Sequence, residues 1–184
     1  MLKVAIFGGS FDPIHIGHQA IIQKILQTLD IDKLILVPTF LNPFKKKFFF
    51  TPEQRIEFLN ILYKTDPKII IEDFEIRQNK PTQSIKTIEY IKQKYKPSKL
   101  YFVIGADNLK ELHLWDNFGL IKQYVRFVVV TRENYQLKAN CDIQFDILEV
   151  KQNISSTQIR LDLKNNLKYI PKQIHQLIYN YVKI

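Results

Sequence analysis

The chain of 184 residues has one cysteine, one tryptophan and few arginines, and no long apolar run. Each shortage excludes something. The lone Cys141 cannot close an internal disulfide, which fits a reducing compartment. No catalytic context surrounds it, so it reads as a structural or surface thiol. No apolar stretch approaches the roughly 18 residues that cross a bilayer. The N-terminal run Val4–Phe7 is too short for the core of a signal peptide, so export is not expected and a cytoplasmic location is. Of the 27 basic residues only five are Arg: Arg55, Arg77, Arg126, Arg132 and Arg160. The lysines are dispersed, and only Lys45-Lys46-Lys47 forms a run. A net charge of +9 admits nucleic acid, an acidic membrane or a polyanionic small substrate. Dispersed Lys reads first as a solvated surface. The arginines carry more information, because a guanidinium holds phosphate in a bidentate way.

What is present is an alternation of apolar runs with amphipathic stretches. Strands are expected at Leu2–Phe7, Leu34–Val37, Ile69–Ile71, Leu100–Ile104 and Phe127–Thr131, with a sixth inside Asp142–Glu149. Helices are expected over Gly17–Leu29, from Thr51-Pro52 through Tyr63, and over Ser84–Tyr95, Trp115–Gln123, Ser155–Leu163 and Pro171–Val182. Such alternation implies an α/β fold: one Rossmann-like, doubly wound, mainly parallel sheet with helices on both faces. One domain over 1–184 is expected, with a lid loop at about 38–50 and a C-terminal helical part at about 155–184. No repeat, low-complexity segment or domain boundary is visible.

Ligands on such sheets bind beyond the carboxyl ends of the strands. Four polar clusters follow strands directly: Gly8–His18, Pro38–Lys47, Gly105–Trp115 and Thr131–Asn134. The first reads Phe-Gly-Gly-Ser-Phe-Asp-Pro-Ile-His-Ile-Gly-His. Glycines let backbone N–H groups approach a ligand. The start of a helix adds further N–H groups and a partial positive charge. His15 and His18 lie one turn apart on one helix face and can donate to oxygens. This suits a nucleotide polyphosphate. A plain glycine turn with a surface histidine is the bland alternative. The loop lacks both the Gly-x-Gly-x-x-Gly spacing and the Lys-Ser/Thr ending of a Walker A loop. Ser155-Ser156-Thr157 with Arg160 one turn later is a second anion candidate, although a simple Ser/Thr cap with a solvated Arg fits that segment equally well. Asp107 suits either a ligand-facing carboxylate or a helix cap. Trp115, taken alone, reads as core.

These segments resemble the nucleotidylyltransferase superfamily in Gly8-Gly9-Ser10-Phe11-Asp12-Pro13…His15-Ile16-Gly17-His18 and in Ile154-Ser155-Ser156-Thr157-Gln158-Ile159-Arg160. The tetrapeptide His-Ile-Gly-His also occurs in class I aminoacyl-tRNA synthetases. The wider chain is similar to bacterial nicotinate-nucleotide adenylyltransferases. The matching stretches are Val37-Pro38 with Asn42-Pro43-Phe44-Lys45-Lys46, Phe74-Glu75-Ile76-Arg77, Ile104–Leu109 with Trp115, and Val130-Thr131-Arg132. Two departures stand out. The family's Asn-Pro-Pro-His-Lys has Lys45 in place of His, a cation that cannot titrate near neutrality. In Pro81–Thr87, Gln83 stands for the usual Tyr and Lys86 for the usual Asp.

The resemblance implies transfer of AMP from ATP to nicotinate mononucleotide, giving nicotinate adenine dinucleotide and pyrophosphate. It assigns His15, His18 and Arg160 to catalysis. Gly8, Gly9, Ser10, Phe11, His18, Gly105, Asp107, Arg132, Ile154, Ser155 and Ser156 would bind ATP. Asn42, Lys45, Lys46, Thr82, Ser84 and Trp115 would bind the mononucleotide. The attacking phosphate is largely dianionic at pH 7 and needs no general base, so alignment and electrostatics carry the reaction. Mg²⁺ is expected on the phosphate oxygens, held by substrate and water. Asp12, His15 and His18 could imitate a metal triad, but no fourth ligand with zinc-site spacing is visible. ATP and nicotinate mononucleotide are the expected partners, with no nucleic acid and no membrane, and the protein a monomer or homodimer. Rival readings are a related enzyme acting on nicotinamide mononucleotide, phosphopantetheine or glycerol phosphate, and a non-catalytic nucleotide- or nucleic-acid-binding protein. A synthetase is disfavoured by length and by the lack of a Lys-Met-Ser-Lys-Ser-like stretch.

Overall fold

Six parallel strands form one sheet in the order β3-β2-β1-β4-β5-β6 in the computed structural model, which describes residues 1–41, 47–131, 137, 139–151 and 154–183. The elements run β1 (Lys3–Gly9), α1 (Ile16–Thr28), β2 (Lys33–Pro38), α2 (Pro52–Tyr63), β3 (Ile69–Ile71), α3 (Phe74–Arg77) and α4 (Ser84–Tyr95). They continue with β4 (Lys99–Gly105), α5 (Phe118–Tyr124), β5 (Arg126–Thr131), β6 (Phe145–Glu149), α6 (Ser156–Leu161), α7 (Leu163–Asn166) and α8 (His175–Val182). The chain winds outward in one direction from β1 and then in the other from β4. The strand order therefore reverses between β1 and β4, where a crevice opens beyond the carboxyl ends. The expected α/β fold is borne out, and every strand pairing is parallel.

Alternation along the strands feeds two cores. Ala5, Phe7, Leu34, Leu36, Tyr101 and Val103 face the layer containing Ile22 and Ile25 of α1, Phe58 and Leu59 of α2, and Ile174 and Ile178 at the C-terminal end. Val4, Ile6, Ile35, Val37, Phe102 and Ile104 face Ile85, Ile88 and Ile91 of α4 and Ile121 of α5. Central strands buried on both faces have no polar side to show, which is why Val4-Ala5-Ile6-Phe7 is continuously apolar. Full burial of a Val, Ile or Phe side chain here stabilises the fold by about 1.5–3 kcal/mol.

Several boundaries differ from those read in the sequence. The strand preceding the first loop runs through both glycines, which pair with Val37 and Pro38 of β2. Neither glycine has positive φ; the left-handed residue of the loop is Phe11, at φ 47°. Trp115 precedes α5 in extended backbone, because Asn117 turns left-handed (φ 55°) before the helix begins. Ser155–Leu163 is broken at Asp162, whose side chain caps α7 by accepting from the Asn165 N–H at 3.2 Å. Pro171 opens a 3₁₀ turn, and α8 starts only at His175. Thr51 caps α2 as expected, in a reciprocal box with Gln54 and with Pro52 at the first helical position.

Candidate active site

The two histidines of the first loop build the start of α1 themselves. His15 occupies the cap position, and its Nδ1 accepts from the Gly17 N–H at 3.1 Å. His18, three residues on, accepts from the His15 N–H at 3.3 Å through its own Nδ1. This is the reciprocal capping box usually made by Ser/Thr and Glu/Gln. The rings lie against each other with centroids 3.8 Å apart. An Nδ1 that accepts carries no proton, so each ring keeps its proton on Nε2, and Nε2 is the nitrogen that can donate. The cap thereby sets the tautomer. Gly17 is required by the same arrangement: a Cβ there would stand 2.9 Å from the His15 ring and 3.2 Å from the Ile154 side chain. Phe11 is buried and supports the pair from behind, its ring 5.0 Å from that of His18 and 5.7 Å from that of Phe7.

The Ser-Ser-Thr segment is brought against this loop from far along the chain. Ser156 Oγ donates to the Pro13 carbonyl at 3.1 Å, and Arg160 donates to the Asp12 carbonyl at 2.7 Å and to Thr157 Oγ1 at 2.9 Å. Ser155 closes its own helix by accepting from the Gln158 N–H at 3.2 Å. Between the two segments lies a cavity of about 420 Å³, lined by His15, His18, Asp107, Ile154, Ser155 and Ser156 among others.

A second cavity of about 530 Å³ opens on the other side of the β1 and β4 ends. Gly8, Gly9, Ser10, Thr82, Ser84 and Trp115 line it, and Gly105 belongs to both cavities. Trp115 is half-buried, edge-on to Phe102 of the core at 6.2 Å, so it serves the core and lines the cavity at once. The cap residue of α4, Gln83, makes no side-chain bond to the helix start.

The first loop and the loop after β2 are bound together by buried charges. Arg55, 1% exposed, donates to the carbonyls of Ser10 (2.6 Å), Thr39 (2.7 Å) and Phe40 (2.8 Å). Burial lowers its pKa, and the Asp12 carboxylate opposes that shift. Asp12, 2% exposed, accepts from the N–H groups of Phe49 (3.0 Å) and Phe50 (2.8 Å). Both ends of the loop after β2 are thus tied to the first loop.

A family model described as cytidylyltransferase-like matches residues 6–161. A protein of Aliarcobacter butzleri named probable nicotinate-nucleotide adenylyltransferase is 45% identical, over 97% of this chain and 96% of its own. One of the same name from Nitratiruptor is 41% identical over 99% of both chains. The chain belongs to the nicotinate-nucleotide adenylyltransferase family. Among solved structures, Plasmodium falciparum nicotinic acid mononucleotide adenylyltransferase complexed with NaAD superposes with a TM-score of 0.77 at 20% identity, over 98% of this chain and 96% of that one. The same enzyme complexed with APC gives 0.73 at 18% identity, covering 99% and 96%. At that identity the likeness speaks for the fold.

The family's motifs are distributed unevenly over the two cavities. His15, expected in catalysis, and His18, Gly105, Asp107, Ile154, Ser155 and Ser156, expected at ATP, line the first. Gly8, Gly9 and Ser10, expected there too, line the second with Thr82, Ser84 and Trp115. The Phe11 side chain points into the core, and Arg160 is turned to the loop carbonyl of Asp12. Asp107 sits inside a 3₁₀ turn over Ala106–Asn108 with Gly105 at the cap position, so it caps no helix. Asn42, Lys45, Lys46 and Arg132 lie outside the described residues. Sequence reasoning missed Arg55, Glu75 and Thr87. Arg55 left a trace: it stands in the buried stripe of α2 with Pro52, Phe58 and Leu59, where a charge needs partners. Glu75 and Thr87 stand in stretches compared with the family, Phe74–Arg77 and Pro81–Thr87, but their meeting depends on how α3 and α4 pack.

Proposed function

We propose that the protein transfers AMP from ATP to nicotinate mononucleotide, releasing pyrophosphate and nicotinate adenine dinucleotide. The observation that carries the reading is the pair of cavities meeting at Gly105, at the strand-order reversal, with the capped histidines lining one and Trp115 lining the other. The names of the full-length relatives support it. In this reading one nucleotidylyltransferase unit over 1–184 works in the cytoplasm, as a monomer or homodimer.

The triphosphate takes the first cavity. His15 and His18 donate from Nε2 to its oxygens, and His18 meets the charge that develops at the α-phosphorus. Ser155 and Ser156 lie where the leaving pyrophosphate is held, and Arg160 joins them on exchanging its carbonyl partner for phosphate. Glycines 8 and 9 with Ser10 border the mononucleotide cavity, which suits them to its 5′-phosphate on the way to the α-phosphorus. Trp115 faces the pyridine ring, and the open start of α4 at Ser84 offers donors to the nicotinate carboxylate. Arg132 would serve ATP, and Asn42, Lys45 and Lys46 the mononucleotide. Among the described residues no group of three or more His, Cys, Asp or Glu could hold a metal ion. Mg²⁺ would be carried on the triphosphate and water, where it would spread the charge of the leaving group. Alignment of two polyanions and stabilisation of the transferred charge are the protein's share.

The test is a panel of acceptors at fixed ATP and Mg²⁺, scored by product mass. Nicotinate mononucleotide should give the dinucleotide and pyrophosphate. Preferred use of phosphopantetheine, glycerol phosphate or nicotinamide mononucleotide, or no turnover at all, would overturn the reading.

A further inference from the structure

The mononucleotide cavity contains an acid where an anionic substrate should meet cations. Glu75 of α3 is 7% exposed and lines the cavity together with Thr87 of α4. Thr87 Oγ1 donates to its Oε1 at 2.6 Å. Among the described residues, the other charged groups lining this cavity are Glu111 and Asp116, both acids and both exposed, and no Lys, Arg or His lines it. The neighbouring cation on α3, Arg77, is held by Asp73 at 2.7 Å and by Glu72 and Tyr90. On α4, Lys86 and Glu89 flank Thr87 but are exposed, and β2 contributes only Val37 and Thr39 of its adjoining loop. Glu75 thus takes part in none of the described ion pairs.

An ionised carboxylate in that position repels a nicotinate carboxylate and attracts the N–H groups of a nicotinamide. A protonated one donates to nicotinate from Oε2, since Oε1 is taken by Thr87. We propose that Glu75 is a specificity-determining residue, which in its acid form donates to the nicotinate carboxylate and so favours nicotinate over nicotinamide mononucleotide. This rests on the adenylyl-transfer reading above. Burial supports it by pushing the Glu75 carboxyl up to about 7, with the Thr87 hydroxyl pulling the other way. The choice between the two mononucleotides then depends on pH in the neutral range.

The experiment measures kcat/KM for both mononucleotides from pH 6 to pH 8.5 and takes their ratio. The 5′-phosphate and the ATP site are common to both substrates, so their titrations cancel. The nicotinate carboxylate stays ionised throughout this range. With the carboxyl at about 7, the nicotinate-to-nicotinamide ratio of the wild type should fall by about thirtyfold over this range. Glu75→Gln keeps a donor in the same volume and should hold the ratio constant. Thr87→Val removes the bond that favours the ionised form and should move the fall to higher pH. A flat or rising wild-type ratio overturns the proposal, as does a fall that persists in Glu75→Gln or loss of nicotinate turnover in that variant. A wild type that turns over neither mononucleotide overturns the reading of the reaction itself, which separates the two failures.

Discussion

The two cavities at the strand ends are built by opposite means. The first draws its polar donors chiefly from two contiguous motifs, the His-Ile-Gly-His start of α1 and the Ser-Ser start of α6, set against the ends of β4 and β5, and both its histidines are oriented by backbone they themselves cap. The second is assembled from the ends of β1, β2 and β4 and the starts of α3 and α4, and its charged lining among the described residues is acidic. In the proposed reaction, short motifs can supply the donors for a triphosphate, because every triphosphate presents the same oxygens. Distinguishing one pyridine from another takes side chains that only packing can bring together.

That contrast can be broken from either side. The largest effect is expected from His18→Ala. Loss of a transition-state donor should lower kcat by about 10²–10³ while leaving the KM for the mononucleotide near its original value. Turnover within a fewfold of normal would remove His18 from the reaction. Next is Glu75→Gln, read as stability. The carboxyl titrates near 4.5 when unfolded and near 7 when folded, so between these values the unfolded chain sheds a proton that the folded chain keeps. Stability is therefore whole below about pH 4.5 and falls until about pH 7, by about 3 kcal/mol for a shift of this size. Denaturant melts at pH 5 and pH 8 should show this loss in the wild type and a smaller one in the variant. Equal losses would mean that Glu75 titrates normally.

A smaller change in the first cavity is Gly17→Ala. Alanine is the better helix former, yet its Cβ would push the His15 ring aside. Misplacement on the ångström scale should lower kcat about 10²-fold with no loss of helix content by circular dichroism. Unchanged turnover would show that the ring position is not critical. The smallest effect is Trp115→Ala, which should raise the KM for the mononucleotide about tenfold, the worth of one aromatic contact, and leave the KM for ATP within twofold. A change shared equally by both substrates would merge the two cavities into one site.

The layer structure was legible in the sequence because buried parallel strands are apolar throughout and the helices carry stripes. The first cavity was legible for a related reason. Its two histidines sit within one turn of each other, so spacing alone places them together, whereas the serine segment arrives from far along the chain. Boundaries failed where a single backbone angle decides, as at Asn117 before α5 and at Asp162 between α6 and α7. The roles of Arg55 and Asp12 were not legible, since each bridges about forty residues of chain through backbone groups that carry no side-chain signature.

By itself, then, the order of residues determined the strand–helix alternation, the capped histidine pair's proximity and the serine-rich helix start, all of them interactions within a few residues. Only the tertiary structure decided that the pair's rings cap α1 through Nδ1, that the serine segment lands on the Pro13 carbonyl 143 residues away, and that Glu75 and Thr87 share a wall of the second cavity. Contacts of that kind depend on burying two apolar faces against one sheet, and no local pattern encodes which side chains the packing leaves in the crevice.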